Sequence, residues 1–190
     1  MTDLLILLFA ITADGGADDR ALSERIATGD PLAFRAFYER HHAALARYLR
    51  RRGLSVAETE DILQQAFITI WEKRATIRPD LPLRGYLFRI GLSRARNRFR
   101  DTAKFTTFEL RTDDIEDASP DELHRRELMD ALHAAISSLP EKRREVFELC
   151  YLQEFSYKEA AETLDISQKT VENHMGLALK ELRVKLSKWV

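Results

Sequence analysis

Helix breakers are scarce in this chain, with 7 glycines and 5 prolines among 190 residues and long stretches that hold neither. That scarcity favours helices over a turn-rich β architecture. Cysteine is scarcer still. Cys150 stands alone, so no internal disulfide can form, and one thiol without a paired ligand cluster makes no metal site. A reducing, cytoplasmic setting is therefore expected. Charge of one sign is lacking as well: 30 basic and 31 acidic residues leave a formal net charge of -1. The chain as a whole is not a basic nucleic-acid binder, and any DNA-binding surface has to come from segregated charge. Hydrophobic residues at 45% nonetheless exclude a disordered chain.

A bilayer-spanning helix needs roughly 20 apolar residues, and the candidate run, LLILLFAI at 4–11, is far shorter. Only Asp3 carries charge ahead of it, whereas a secretory leader begins with a positive region. Gly15 and Gly16 then break the chain. Residues 1–21 are expected to form an N-terminal extension, with no membrane binding of its own.

Signals of catalysis are missing too. His41 and His42 are adjacent, so on a helix they point about 100° apart and cannot share a metal. His133 and His174 have no carboxylate or cysteine at ligand spacing. With no glycine-rich phosphate loop and no serine elbow, neither an enzyme nor a cofactor is expected.

What the chain does have is helical periodicity from near Ala21 to the C-terminus, with one polar interruption. Asp30-Pro31 reads as a cap followed by proline at the first helical position. Leu32, Phe34, Phe37, Tyr38, Leu45, Tyr48 and Leu49 then supply an apolar side, and Gly53 ends the helix. A second helix is predicted over 56–73, a loop at the two prolines 79 and 82, and a third helix over 83–101. From 106 to 122 the acids Glu109, Asp113, Asp114, Glu116, Asp117, Asp121 and Glu122 crowd a stretch with little apolar periodicity. By composition this is a linker, and a solvated tether is its simplest reading. Four more helices follow, over 123–138, 141–152, 157–164 and 168–187. The predicted fold is all-α: two small helical domains joined by an acidic linker.

Three segments carry information beyond the fold. In the C-terminal one, Ser156 with Glu159 three residues on forms a capping box. Ala160 and Ala161 are small enough for a close crossing, Asp165 tolerates a left-handed turn, and Ser167 caps the next helix. Val171, Met175, Ala178, Leu179 and Leu182 form the apolar stripe of that helix. Lys169, Thr170, Asn173, Gly176, Leu177 and Lys180 lie opposite. This is a helix-turn-helix with its recognition helix exposed.

The second segment interleaves Arg84, Arg89, Arg94, Arg96, Arg98, Arg100 and Lys104 with Tyr86, Phe88, Phe99 and Phe105. Basic groups follow a phosphate backbone while aromatics stack unpaired bases, so the composition suits melted DNA; a merely solvated basic face is the simpler alternative. In the third segment, Ile62, Leu63, Ala66, Phe67, Ile70 and Trp71 form a broad core stripe. Asp61, Gln64, Gln65 and Glu72 occupy the other side with Ile68 among them, which suggests a protein-binding patch.

In this order, GDPLAFRAFYERH, DILQQAFITIW, LRGYLFRIGLSRARNRFR and LPEKRREVFELCYLQEFSYKEAAETLDISQKTVENHMGLALKELR resemble the sigma-70 family of bacterial transcription factors, in its compact extracytoplasmic-function (ECF) group. The resemblance runs over nearly the whole chain. It implies sigma region two at 22–105 and region four at 123–190. Asp61, Gln64, Gln65 and Ile68 would grip the β′ clamp helices of core RNA polymerase. Arg84, Tyr86, Arg89, Ser93, Arg94, Arg96, Asn97, Arg98 and Arg100 would recognise and melt the minus-ten element. Lys169, Thr170, Glu172, Asn173, Gly176, Leu177 and Lys180 would read the minus-thirty-five element, and region four would also hold the β flap. The acidic linker would thread the RNA path, and an anti-sigma factor is a common partner. Tyr86 and Ser93 stand where the family often has tryptophan and asparagine, and Glu172 and Leu177 where many relatives carry arginine. Two rivals need other features. A response-regulator output protein needs a receiver domain in place of 22–105, where no strand-helix alternation is seen, and a helical adaptor makes the basic-aromatic block incidental.

Overall fold

A computed structural model of the chain describes residues 15–77, 83–101 and 120–187. All of its regular elements among these residues are helical, and the chain divides into two compact units, Met1–Thr106 and Thr107–Val190. The acidic stretch, apart from its last residues, and the apolar run at 4–11 lie outside the described residues.

The first unit holds α1 (Gly15–Ala27), α2 (Pro31–Arg51), α3 (Val56–Lys73) and α4 (Leu83–Asp101). Helix α1 starts six residues before the expected onset at Ala21, and Gly15 and Gly16 open it rather than merely breaking the chain. Buried Asp19, in the part expected to be extension, explains the difference: its carboxylate lies 3.0 Å from Nε2 of buried His41 and 3.1 Å from Arg40 Nη1, both on α2. At the α1–α2 corner Asp30 accepts the N–H groups of Leu32 (2.8 Å) and Ala33 (3.2 Å) on one oxygen and the Arg25 guanidinium (2.7 Å) on the other. One side chain thus caps a helix and ties it to its predecessor. Ser55 and Glu58 form a reciprocal capping box at the start of α3.

The core of this unit joins Leu22 and Ile26 of α1, Phe37, Leu45, Tyr48 and Leu49 of α2, Ile62, Ala66 and Ile70 of α3, and Leu83, Leu87 and Phe88 of α4. Burying each leucine, isoleucine or phenylalanine among them contributes about 1.5–3 kcal/mol. A Cβ on Gly91 would sit 3.0 Å from Leu45 Cδ1, so the glycine is what allows α4 to lie this close to α2. Not every apolar residue of α2 goes inside: Leu32 is 69% exposed and Tyr38 is also on the surface, because the apolar arc is wider than the face that α1, α3 and α4 cover.

The second unit holds α5 (Pro120–Ser137), α6 (Glu141–Phe147), α7 (Tyr157–Leu164) and α8 (Gln168–Lys185). Helix α5 begins three residues earlier than predicted. The helix expected over 141–152 changes character at Glu148–Leu152, which winds as a π turn. Buried Ala135, Ile136, Leu139, Val146, Phe147 and Leu149 meet Val171, Met175, Ala178 and Leu182 of α8. An ion pair between Arg143 and Glu181, 2.6 Å, ties α6 to α8.

Candidate functional site

The outward side of α3 presents Asp61, Gln64, Ile68 and Glu72, with Ile68 46% exposed. Gln65, expected on the same face, is only half-exposed. Its Nε2 donates to Asp61 Oδ1 (2.8 Å), and its Oε1 accepts a hydrogen bond from Arg94 of α4. Beside this face lies a groove of about 720 Å³, walled by Phe34, Tyr38, Leu63, Phe67, Ile68 and Trp71 and edged by Glu60, Gln64 and Glu72. Leu63 and Trp71, predicted as core, are half-buried instead. They sit on the α2–α3 flank that neither α1 nor α4 covers. The Arg74 guanidinium lies 4.5 Å from the Trp71 ring centroid and fixes one wall. The signal that sequence reasoning passed over is the paired spacing, 34 and 38 on α2 against 63, 67 and 71 on α3: two rows of large apolar residues that face each other.

Helix α4 sorts its basic residues into two groups. Leu83, Leu87, Phe88, Gly91, Leu92 and Ala95 are buried. Opposite them Arg89, Ser93, Asn97 and Arg100 form an exposed stripe, flanked by half-buried Tyr86 and Arg96. Arg84, Arg94 and Arg98 have neighbours in the helical unit that can be named. Arg84 lies over the Phe88 ring. Arg94 donates to Gln65 and also to Thr69 Oγ1 (3.3 Å), and Arg98 stands 3.3 Å from the Glu58 carboxylate. The Ser55 hydroxyl and N–H hold the Glu58 carboxyl below its usual range, with the Arg98 charge adding to them. Of the nine residues expected at the DNA, Arg94 and Arg98 are thus joined to α3, and the outward surface is narrower than composition suggested.

In the second unit the Ser156 and Glu159 side chains cap each other's backbone, Oε2 of Glu159 accepting the Ser156 N–H at 2.8 Å. Helix α7 ends at Asp165 in the left-handed conformation, φ 57°, and the Ile166 N–H bonds the Ala161 carbonyl at 3.0 Å. Ser167 caps α8 by accepting the Thr170 N–H at 3.0 Å. The fully buried Ala160 and Ala178 let the two helices lie close. On α8 the residues Lys169, Asn173, Gly176, Leu177 and Lys180 face solvent. Two of the expected readers have local duties: the Thr170 hydroxyl bonds Ser167 Oγ (2.8 Å), and half-buried Glu172 takes the Lys169 ammonium at 3.0 Å. Leu179, predicted on the buried stripe, is 42% exposed. The buried row 171, 175, 178, 182 is narrow, and Leu179 lies one residue beyond its edge. Nearby, burial pushes the Cys150 thiol up to about 12, with Glu159 adding, so it is no ready nucleophile. Among the described residues no His/Cys/Asp/Glu cluster could hold a metal, and no helix is long and apolar enough to cross a membrane.

Comparison with known proteins bears on both units. A family model for sigma-70 region 2 matches residues 37–105, and one for sigma-70 region 4 matches 129–182. RNA polymerase sigma factor CnrH of Cupriavidus metallidurans is 32% identical over 175 residues, which cover 86% of this chain and 92% of that protein. The chain belongs to the sigma-70 family. The ECF RNA polymerase sigma factor SigL of Mycobacterium tuberculosis is 28% identical over 167 residues, covering 84% of this chain and 92% of its own. The structure of CnrH in complex with the cytosolic domain of CnrY matches with a TM-score of 0.67 at 31% identity, over 90% of this chain and 98% of that one. This sigma-70 chain is thus an alternative, ECF-type sigma factor for transcription initiation, a class of non-catalytic factor. Helix α7 and α8 up to residue 182 fall inside the region 4 match, and α3 and α4 fall inside the region 2 match.

Proposed function

We propose that this sigma factor binds core RNA polymerase through the α3 face and its groove, opens the minus-ten element along α4 and reads the minus-thirty-five element with α8. The observation that carries the reading is the sorting of α8: its apolar row is sealed against α6 and α7, while Lys169, Asn173 and Lys180 point outward, about one and then about two turns apart. A capped helix presented in this way fits a major groove. On α4 the stripe Arg89, Ser93, Asn97 and Arg100 suits a single strand, with Tyr86 at its edge for a base to stack upon. On α3, Glu60 and Glu72 edge the groove with negative charge, exposed Asp61 adds a further carboxylate to that helix, and Ile68 supplies an apolar centre. A partner helix that is basic and apolar by turns complements it.

The net charge of -1 fits a protein that binds promoters poorly alone and gains affinity from the polymerase. Its place of action is then the cytoplasm, with the enzyme it serves. The complex of CnrH with the cytosolic domain of CnrY supports an anti-sigma partner for this chain too. The deciding experiment is core-polymerase pull-down followed by transcription from a promoter library, with wild type and with Asp61→Lys combined with Ile68→Asp. Wild type should assemble and select promoters, and the variant should stay folded and fail to assemble. Normal assembly of the variant removes the α3 face from the interface. If wild type does not bind core at all, a helical adaptor role takes the place of this reading.

A further inference from the structure

Gly176 stands in the middle of α8, and nothing in the fold calls for it. A Cβ built there meets no atom within 4 Å, and its φ is not in the left-handed region. Inside a helix, glycine is the least favourable residue after proline. Here the molecule accepts that cost on an exposed face without a packing or turn requirement in return. The position is not random: Gly176 follows Asn173 by three residues and precedes Lys180 by four, so it lies between two outward polar side chains, with Leu177 beside it.

We infer that Gly176 is a notch that receives the methyl group of a thymine and so sets how deeply α8 enters the major groove. The inference rests on the assignment of α8 to the minus-thirty-five element. A helix with its side chains is about 10–12 Å across, and the major groove is about 12 Å wide. The fit leaves a clearance of at most about 2 Å, no more than about one C–C bond of about 1.5 Å takes up. A methyl group at 176 uses that space, while its absence brings the α8 backbone against the base edges and carries the Asn173 amide and Lys180 ammonium inward with it. Among base-pair edges only thymine projects a methyl group into the major groove, and Leu177 gives it an apolar neighbour.

A paired substitution tests this in holoenzyme made with the full chain. Gly176→Ala adds its methyl group in open space, so it folds, and it should raise the thermal midpoint by roughly 2–5 °C. On promoters with a thymine beneath the notch it should nonetheless transcribe roughly 5-fold less or worse. Replacing that thymine by deoxyuridine should weaken wild type and restore Gly176→Ala, because the new side-chain methyl fills the space the base has vacated. A stabilised Gly176→Ala that transcribes the whole panel as wild type does makes the glycine incidental and overturns the inference. Equal loss on thymine and deoxyuridine templates also overturns it, since the close approach is then not to a thymine methyl. Asn173→Ala, run alongside, separates the two levels: if it too is silent on every minus-thirty-five variant, the assignment of α8 has failed, not the notch alone.

Discussion

Arg94, on the helix expected at the DNA, donates a guanidinium N–H to the side-chain oxygen of Gln65, on the helix expected at the polymerase. The same guanidinium reaches Thr69, and Gln65 in turn holds Asp61 at 2.8 Å. A chain of polar contacts therefore runs from the outer face of α3 to α4. Hydrogen bonds to a charged group contribute about 1.5–3 kcal/mol when partly buried. Arg94→Ala should lower the thermal midpoint yet leave the salt dependence of promoter binding unchanged, because this arginine is not at a phosphate. Arg89→Ala should do the reverse, reducing the slope of log affinity against log salt by roughly 0.7–0.9. Binding titrations across a salt series, with thermal melts of the same proteins, check both. A full phosphate-sized slope change for Arg94→Ala would mean that the Gln65 contact opens on DNA.

Asp19 gives a pH dependence with a definite sign. Burial pushes its carboxyl up, but the His41 hydrogen bond and charge and the Arg40 guanidinium more than offset this, so it ends below the usual carboxylate value. A carboxylate with a lowered folded pKa adds stability that is complete above its unfolded value, about 3.9, and is lost as pH falls through the folded one. Asp19→Asn should therefore cost about 1–3 kcal/mol near pH 6. The gap to wild type should narrow below about pH 4. Urea unfolding of both proteins between pH 6 and pH 3 is the measurement, and a gap that stays constant over that range contradicts the account.

Local chemistry was legible from the residues; coverage was not. Ser156, Glu159, Asp165 and Ser167 announce their caps and turn because each acts on backbone within four residues, and the structure has all of them in place. Asp30 and Pro31 do the same for α2. Leu63 and Trp71 read as core, and Leu32 and Tyr38 as part of an apolar side, because periodicity marks such a side without saying which arc a neighbour will cover. Likewise Arg94 and Arg98 look like their basic neighbours in sequence, and only the α3–α4 crossing shows that they are paired. Leu179 fails for a third reason, a stripe one residue too wide. The candidate surfaces were thus visible as segments, while the membership of each surface needed tertiary contacts.

Glu154 holds φ 56° without being glycine, asparagine or aspartate, on an exposed turn between the π turn and α7. A left-handed conformation costs an ordinary side chain about 1–2 kcal/mol, of which glycine recovers part after its own entropy loss. Glu154→Gly should stabilise the protein by about 0.5–1 kcal/mol. Promoter selectivity should not change, since Glu154 lies outside α8. Thermal melts show the gain directly; a lower midpoint would mean that the Glu154 side chain contributes more than its strain.

Helix α8 invites the sharpest comparison, because the ion pair in its first turns opposes its proposed role. Lys169 can reach a base or phosphate only by leaving Glu172, 3.0 Å away, and the lysine side chain is 77% exposed. So open a pair is worth at most about 1 kcal/mol, and DNA phosphates can compete for the lysine. The glutamate then remains as a negative charge facing the duplex. Glu172→Gln removes that repulsion and releases Lys169, so it should raise affinity on every promoter and steepen the salt dependence. Asn173→Ala should act differently. An amide that pairs with an adenine edge discriminates by about 1–3 kcal/mol, so its loss should fall on promoters with the preferred upstream element and spare the rest. Leu177 is 48% exposed and has no hydrogen-bonding group. Leu177→Arg should therefore leave region four folded and add a base preference of its own. Transcription from promoters that vary only in the minus-thirty-five element, at fixed salt, distinguishes the three. Uniform gain for Glu172→Gln, selective loss for Asn173→Ala and altered selection for Leu177→Arg are expected together. If Asn173→Ala instead depresses all promoters equally, it is binding the backbone and the sequence is read elsewhere on α8.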